Sequence, residues 1–188
     1  MKKIYPLVFL LAFFQKSNAQ TISQLSFYSP LINTFDMKYI NNHLVVSQNG
    51  LLIFDVTDPT KKPGLVAQTS YPGSIAYSVA VQNNYAYLAL GNNGIFAVYD
   101  ISNFSSPVLS GSVAIPATSF YVAGDIEPHG NYVYVSGFDS LYVINVSNPA
   151  TPFITRAIEV AHTLFIGAED MVIESNSLFI KTPCCLIG

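Results

Sequence analysis

Asp125 and Asp170 stand 45 residues apart. Asp36 lies within one residue of the equivalent place in an earlier stretch, and Ser78 takes it in the stretch between. On strands arranged around a common axis, such residues form a ring of carboxylates at one mouth. A ring of that kind binds a cation or a polar ligand by converging oxygens. Asp36, Asp125 and Asp170 are therefore the candidate metal residues of this chain. The commoner use of such aspartates is to cap a turn or to bond backbone amides of a neighbouring unit. The residue types alone fit either use.

Other polar groups are weighed the same way. Asp55, Asp100 and Asn145 recur at intervals of 45 residues, each ahead of a proline or phenylalanine loop. Asx-turn bonding explains that residue type in full. His43, His129 and His162 share no repeat position, and no pair has the spacing of metal ligands. The densest ionisable patch, Asp125-Ile126-Glu127-Pro128-His129, offers a metal or general-base group, or else a solvated loop. Cys184 and Cys185 are adjacent and are the only cysteines. An oxidising compartment permits a strained vicinal disulfide or pairing elsewhere, and two reduced thiols in a turn fit equally. Asp139-Ser140-Leu141 fits a short acceptor sequence for hydroxyl glycosylation in some exporting bacteria. Tyr85, Tyr87, Tyr132 and Tyr134 alternate along strands, where packing is commoner than sugar stacking. Nothing resembles a nucleophile with its base, a phosphate-binding glycine loop or a calcium loop, and no cofactor is implied.

The elements that position these residues follow from self-similarity. Asp55-Val56-Thr57-Asp58-Pro59 returns as Asp100-Ile101-Ser102-Asn103-Phe104 and as Asn145-Val146-Ser147-Asn148-Pro149. Pro63, Pro107 and Pro152 follow at nearly fixed distance. In the clearest repeat, Ser78 to Val81 reads as a first strand and Asn83-Asn84 as a tight turn that tolerates positive φ. Tyr85 to Leu90 reads as a second strand, Ile95 to Ile101 as a third and Val108 to Ile115 as a fourth. Four antiparallel strands in about 45 residues make one blade of a β-propeller. A blade buries both faces only by stacking on its neighbours, which accounts for apolar residues beyond simple alternation. The fold class is therefore all-β, a partial propeller.

The stretch Gly50-Leu51-Leu52-Ile53-Phe54-Asp55-Val56-Thr57-Asp58-Pro59 resembles the LVIVD repeat. Residues 85–104 match with one extra residue and Phe104 in place of proline, and residues 132–149 match with Ser140 for glycine and Asn145 for aspartate. The resemblance covers roughly residues 35–188, about three and a half blades. It implies a bacterial or archaeal secreted or surface propeller, with no molecular activity attached. The chain has no Trp, which speaks against a WD40 propeller.

At the N-terminus, Lys2 and Lys3 precede an apolar run from Ile4 to Phe14, followed by Ser17-Asn18-Ala19. This is the order of a signal peptide cleaved after Ala19, too short to span a bilayer as an ordinary helix. Residues 1–19 are thus expected to be removed, and no membrane insertion is expected of the mature chain. Eight Lys and Arg less Lys2, Lys3 and Lys16 leave five against eleven Asp and Glu, a net charge of −6. Nucleic acid and anionic lipid are repelled by such a chain. Residues 20–34 form a linker in which Gln24 to Tyr28 reads as an orphan outer strand. The repeat register stops near Leu186, inside a third strand of the fourth copy, so a longer reading frame is expected.

Two classes of function remain open. One is a non-catalytic secreted or cell-surface binding scaffold for a protein or glycan ligand, extracellular or periplasmic. The other is a propeller enzyme of hydrolase or lyase type with a metal or cofactor at the channel mouth. The scarcity of clustered His and of basic residues favours the first.

Overall fold

The computed structural model describes residues 35–91, 94–116, 125–137, 140–159, 170–175 and 177–181. Residues 1–19, expected to be a signal peptide, residues 20–34, expected to be a linker, and Asp139, His162, Cys184, Cys185 and Leu186 lie outside the described residues. The described residues form strands, turns and loops.

The first blade holds β1 (Asp36–Ile40), β2 (His43–Ser47), β3 (Leu51–Asp55) and β4 (Gly64–Gln68). The second holds β5 (Ala76–Gln82), β6 (Tyr85–Leu90), β7 (Ile95–Asp100) and β8 (Val108–Ala114). The third holds β9 (Ile126–His129), β10 (Tyr132–Ser136), β11 (Ser140–Asn145) and β12 (Phe153–Glu159). Each is a four-stranded antiparallel sheet with its strands in chain order. A fourth unit begins with the hairpin of β13 (Asp170–Glu174) and β14 (Ser177–Lys181). The four-stranded blade expected from the sequence is therefore what the chain forms, in successive copies of a partial propeller.

Local chemistry explains the turns. Asn41 and Asn42 close the first hairpin at φ 47° and 61°, Asn83 the second at 55°, and Gly130 the third at 59°. Asn and Gly adopt this left-handed region at the lowest cost. A bulge recurs between the third and fourth strands at Ile53/Phe54, Val98/Tyr99 and Val143/Ile144. The repeated bulge adds twist at the same point of every blade.

Alternation along the strands sends side chains to both faces, and both are packed. Val45, Leu51 and Ile53 meet Ala86, Leu88, Leu90, Ala97 and Tyr99 between the first and second blades. Tyr87, Ala89, Phe96 and Val98 face the other way, against Ile126, Val133, Val135, Tyr142 and Ile144 of the third. Leu141 and Tyr134 carry the packing on to Met171, Leu178 and Ile180. Burying one such side chain contributes about 1.5–3 kcal/mol. The first strands are neighbours in the order β1, β5, β9, β13 and so line the inner side of the stack.

Candidate functional site

The inner strands carry the carboxylates singled out from the sequence. Asp36 opens β1, and its amide donates to Ser47 Oγ at 3.0 Å while the hydroxyl donates back to the Asp36 carbonyl at 3.2 Å. Its Oδ1 accepts from the Met37 amide at 2.7 Å. Its Oδ2 reaches the next blade, accepting from the Val79 amide at 3.1 Å and from Ser78 Oγ at 3.3 Å. Lys38 Nζ lies 3.8 Å from the same oxygen.

Asp125 repeats this arrangement one blade pair later. Its amide donates to Ser136 Oγ at 2.8 Å, and Ser136 Oγ donates to its carbonyl at 3.4 Å. Oδ1 accepts from the Ile126 amide at 2.8 Å, and Oδ2 accepts from the Met171 amide of the fourth unit at 2.6 Å. Asp170 begins β13, is exposed, and pairs across the hairpin with Lys181. Among the described residues no group of three or more His, Cys, Asp or Glu is placed to hold a metal ion. Backbone amides of the same and the following blade occupy the oxygens of Asp36 and Asp125. Ser47 and Ser136 were not singled out from the sequence. Their signal is that Ser stands across from each of these two aspartates, while Ala89 stands across from Ser78.

Electrostatics at this edge is dominated by burial. It pushes the Asp125 carboxyl above the usual aspartate range, against the pull of the Ile126 and Met171 amides and of Lys38, with Asp36 adding to the upward push. Burial likewise raises Glu127, helped by the charges of Asp125 and Asp170 and opposed by Lys38 and the backbone of Ile173. An open cleft of about 310 Å³ lies between the three first strands, lined by Lys38, Tyr39, Val81, Gln82, Glu127 and Pro128 among others. It brings one cation and one carboxyl together beside Ala80, Val81 and Pro128. The Gln82 amide, oriented so that both its atoms are satisfied, donates to the Gly130 carbonyl at 3.2 Å and accepts from the Gly130 amide at 3.1 Å. This ties the second blade to the third.

The other repeated polar position makes Asx turns. Asp55 Oδ1 accepts from the Thr57 amide at 2.8 Å, Asp100 Oδ1 from Ser102 at 2.8 Å and Asn145 Oδ1 from Ser147 at 2.9 Å. A second Asx turn follows three residues on, at Asp58, Asn103 and Asn148. The Thr60 hydroxyl, Lys61 and the Thr60 amide hold the Asp58 carboxyl down at about 2.

His43 stacks on Phe104 of the next blade, ring centroids 4.0 Å apart, and His129 is exposed at the end of β9. Tyr87 is buried beside Phe96, and burial pushes its phenol up to about 12. Tyr85 and Tyr134 pack partly buried between blades, and Tyr132 is 42% exposed. Ser140 opens β11, and its carbonyl accepts from the Gly137 amide at 2.7 Å. Among the described residues no helix is long and apolar enough to cross a membrane.

Comparison with protein families matches the LVIVD repeat to residues 41–69, 73–115 and 122–157, more than half of the chain. Each matched segment falls within or across one of the three four-stranded blades. A search of curated proteins finds no match.

Proposed function

The chain belongs to the LVIVD-repeat family, and from that premise we propose that it is an exported, non-catalytic propeller that serves as a binding scaffold for a protein or glycan outside the cytoplasm. One observation carries the reading. The repeated polar side chains spend their hydrogen bonds on the protein's own backbone, in Asx turns and in links between blades. Groups committed in that way build a rigid frame, and recognition falls to the loops that the frame displays. The Lys2-Lys3 start, the apolar run to Phe14 and the small residues before Gln20 support export. The mature charge of −6 argues for neutral or cationic partners over nucleic acid.

Two measurements test this. The chain is produced in an exporting bacterial host and the N-terminus of the exported product is sequenced, with Gln20 expected first. Intact Met1 on a cytoplasmic product overturns export. The exported protein is then screened against arrays of envelope glycans and surface proteins, alongside hydrolase and lyase substrates in the presence of divalent metals. Saturable binding without turnover is expected. Metal-dependent turnover that is lost on changing Glu127, in the cleft between the first strands, establishes the enzyme reading instead.

A further inference from the structure

The residue after each first-strand position sends its backbone amide to a carboxylate oxygen, and the pairing is one to one. Met37 donates to Asp36 Oδ1 and Val79 to Asp36 Oδ2. Ile126 donates to Asp125 Oδ1 and Met171 to Asp125 Oδ2. Four equivalent amides on four successive inner strands are thus met by the four oxygens of two aspartates. Inner strands are edge strands, whose unpaired amides need an acceptor.

We infer that each first-strand aspartate is a shared clasp serving two successive blades, so that an aspartate is needed only in every other blade. Ser78 is tolerated in the second blade because Asp36 has already met the Val79 amide. The Ser78 hydroxyl then does what a second carboxylate there would not: it donates to Asp36 Oδ2. The same accounting explains why Ala89 replaces serine across from Ser78, since the Ser47 and Ser136 hydroxyls bond the backbone of the clasping aspartates and the second blade has none. In the fourth unit Met171 already donates to Asp125, so Asp170 is not required for it, and Lys181 stands across from Asp170 in the place of serine. The aspartates that share one repeat position therefore do different work: Asp36 and Asp125 clasp, and Asp170 is surplus to the strand that carries it.

The test is a change whose effect reverses sign with its background. Ser78→Asp in the natural chain sets a second carboxylate against Asp36 and lowers Tm. Asp36→Ala strips both the Met37 and Val79 amides, and their hydrogen exchange, read by NMR, rises about tenfold or more. Adding Ser78→Asp to Asp36→Ala supplies an own-strand oxygen, as Asp125 does for Ile126. It restores protection at Val79, leaves Met37 unprotected and raises Tm. If Asp36→Ala does not fold, Asp36→Asn keeps one accepting oxygen, and one of the two amides is expected to stay protected. Asp170→Ala leaves Met171 protected, whereas Asp125→Ala exposes both Ile126 and Met171. A Ser78→Asp effect of the same sign in both backgrounds, unchanged protection at Val79 in Asp36→Ala, or full protection of both amides in Asp36→Asn overturns the shared clasp.

Discussion

The imidazole of His43 lies flat against the ring of Phe104, centroids 4.0 Å apart and planes at 16°. The stack joins the first blade to the loop of the second, at the place where the flanking repeats have Pro59 and Pro149. Phe104 also packs on the cluster between those blades. The departure from the repeat thus exchanges a turn-fixing proline for a ring that binds two blades together. Phe104→Ala should lower stability by about 1–2 kcal/mol, through lost area and the lost stack. Phe104→Pro, although it restores the repeat's own residue, should cost a similar amount. A chemical-denaturation series on the two variants and on His43→Ala checks this, with the double change Phe104→Ala/His43→Ala less than additive.

Gly111 sits where a β carbon would meet the backbone oxygens of Ala150 and Pro149, each at 2.6 Å. The outer strand β8 thereby receives the Asx loop of the third blade against its bare backbone. Gly64, in β4, has nothing within 4 Å of the same added carbon. Gly111→Ala should therefore destabilise by about 2 kcal/mol or more, because the obstructing atoms are backbone. Gly64→Ala should be neutral or stabilising by up to about 1 kcal/mol, through the unfolded chain's entropy. Thermal melts of the pair decide it, and equal effects would remove the close approach as the cause.

Much of this architecture is legible in the sequence. The spacing of Asp55, Asp100 and Asn145 sets the blade length, and the Asx turns expected of them are present. The strand Tyr85–Leu90 has the bounds its pattern predicts, while β5 runs from Ala76 to Gln82, longer than the Ser78 to Val81 of the pattern. The bulge between Ala76 and Ser78 lets that strand continue past the point where alternation breaks. The shared repeat position of Asp125 and Asp170 is also legible, with Asp36 within one residue of the equivalent place and with ligand binding and backbone bonding both open. The division of the Asp36 and Asp125 oxygens between two blades is not, because Val79 and Met171 lie 43 and 46 residues away and meet them only across a seam. Gly111 and Phe104 are opaque for the same reason: their partners belong to the neighbouring blade.

At the turn position, Asn145 performs with one oxygen what Asp100 performs with a carboxylate. Its Oδ1 also takes the Ser147 hydroxyl at 2.7 Å. The turn therefore needs an oxygen acceptor first, and the charge adds only a small increment to it. Asp100→Asn should change stability by less than about 0.5 kcal/mol, whereas Asp100→Ala should cost about 1 kcal/mol by leaving the Ser102 amide without its acceptor. Urea titrations of the two variants test the distinction. A loss in Asp100→Asn as large as in Asp100→Ala would make the charge itself the stabilising feature.

Acid should act on this fold in two opposed steps. Asp125 and Glu127 have folded values raised above their ordinary 3.8 and 4.5, chiefly by burial. A raised folded value means that the folded state holds the proton more tightly, so stability increases as pH falls from neutral toward the ordinary carboxylate range. Asp55, Asp58 and Asp100 have lowered values, held by hydrogen bonds from Thr57, Thr60 and Ser102, with Asp58 at about 2. Their contribution is present above about pH 4 and is lost as pH falls from there toward about 2. Asp55 is exposed and Asp58 and Asp100 are partly so, so the acid limb should be shallow and should weaken further in high salt. Tm measured between about pH 2 and 8 should therefore pass through a maximum near the ordinary carboxylate values. Glu127→Gln should flatten the limb above the maximum, because it removes one of the two groups that charge unfavourably there, and should leave the limb below it in place. A Tm that climbs steadily from about pH 4 to 8 in the natural chain would mean that the amides of Met171 and Ile173 outweigh burial at this edge.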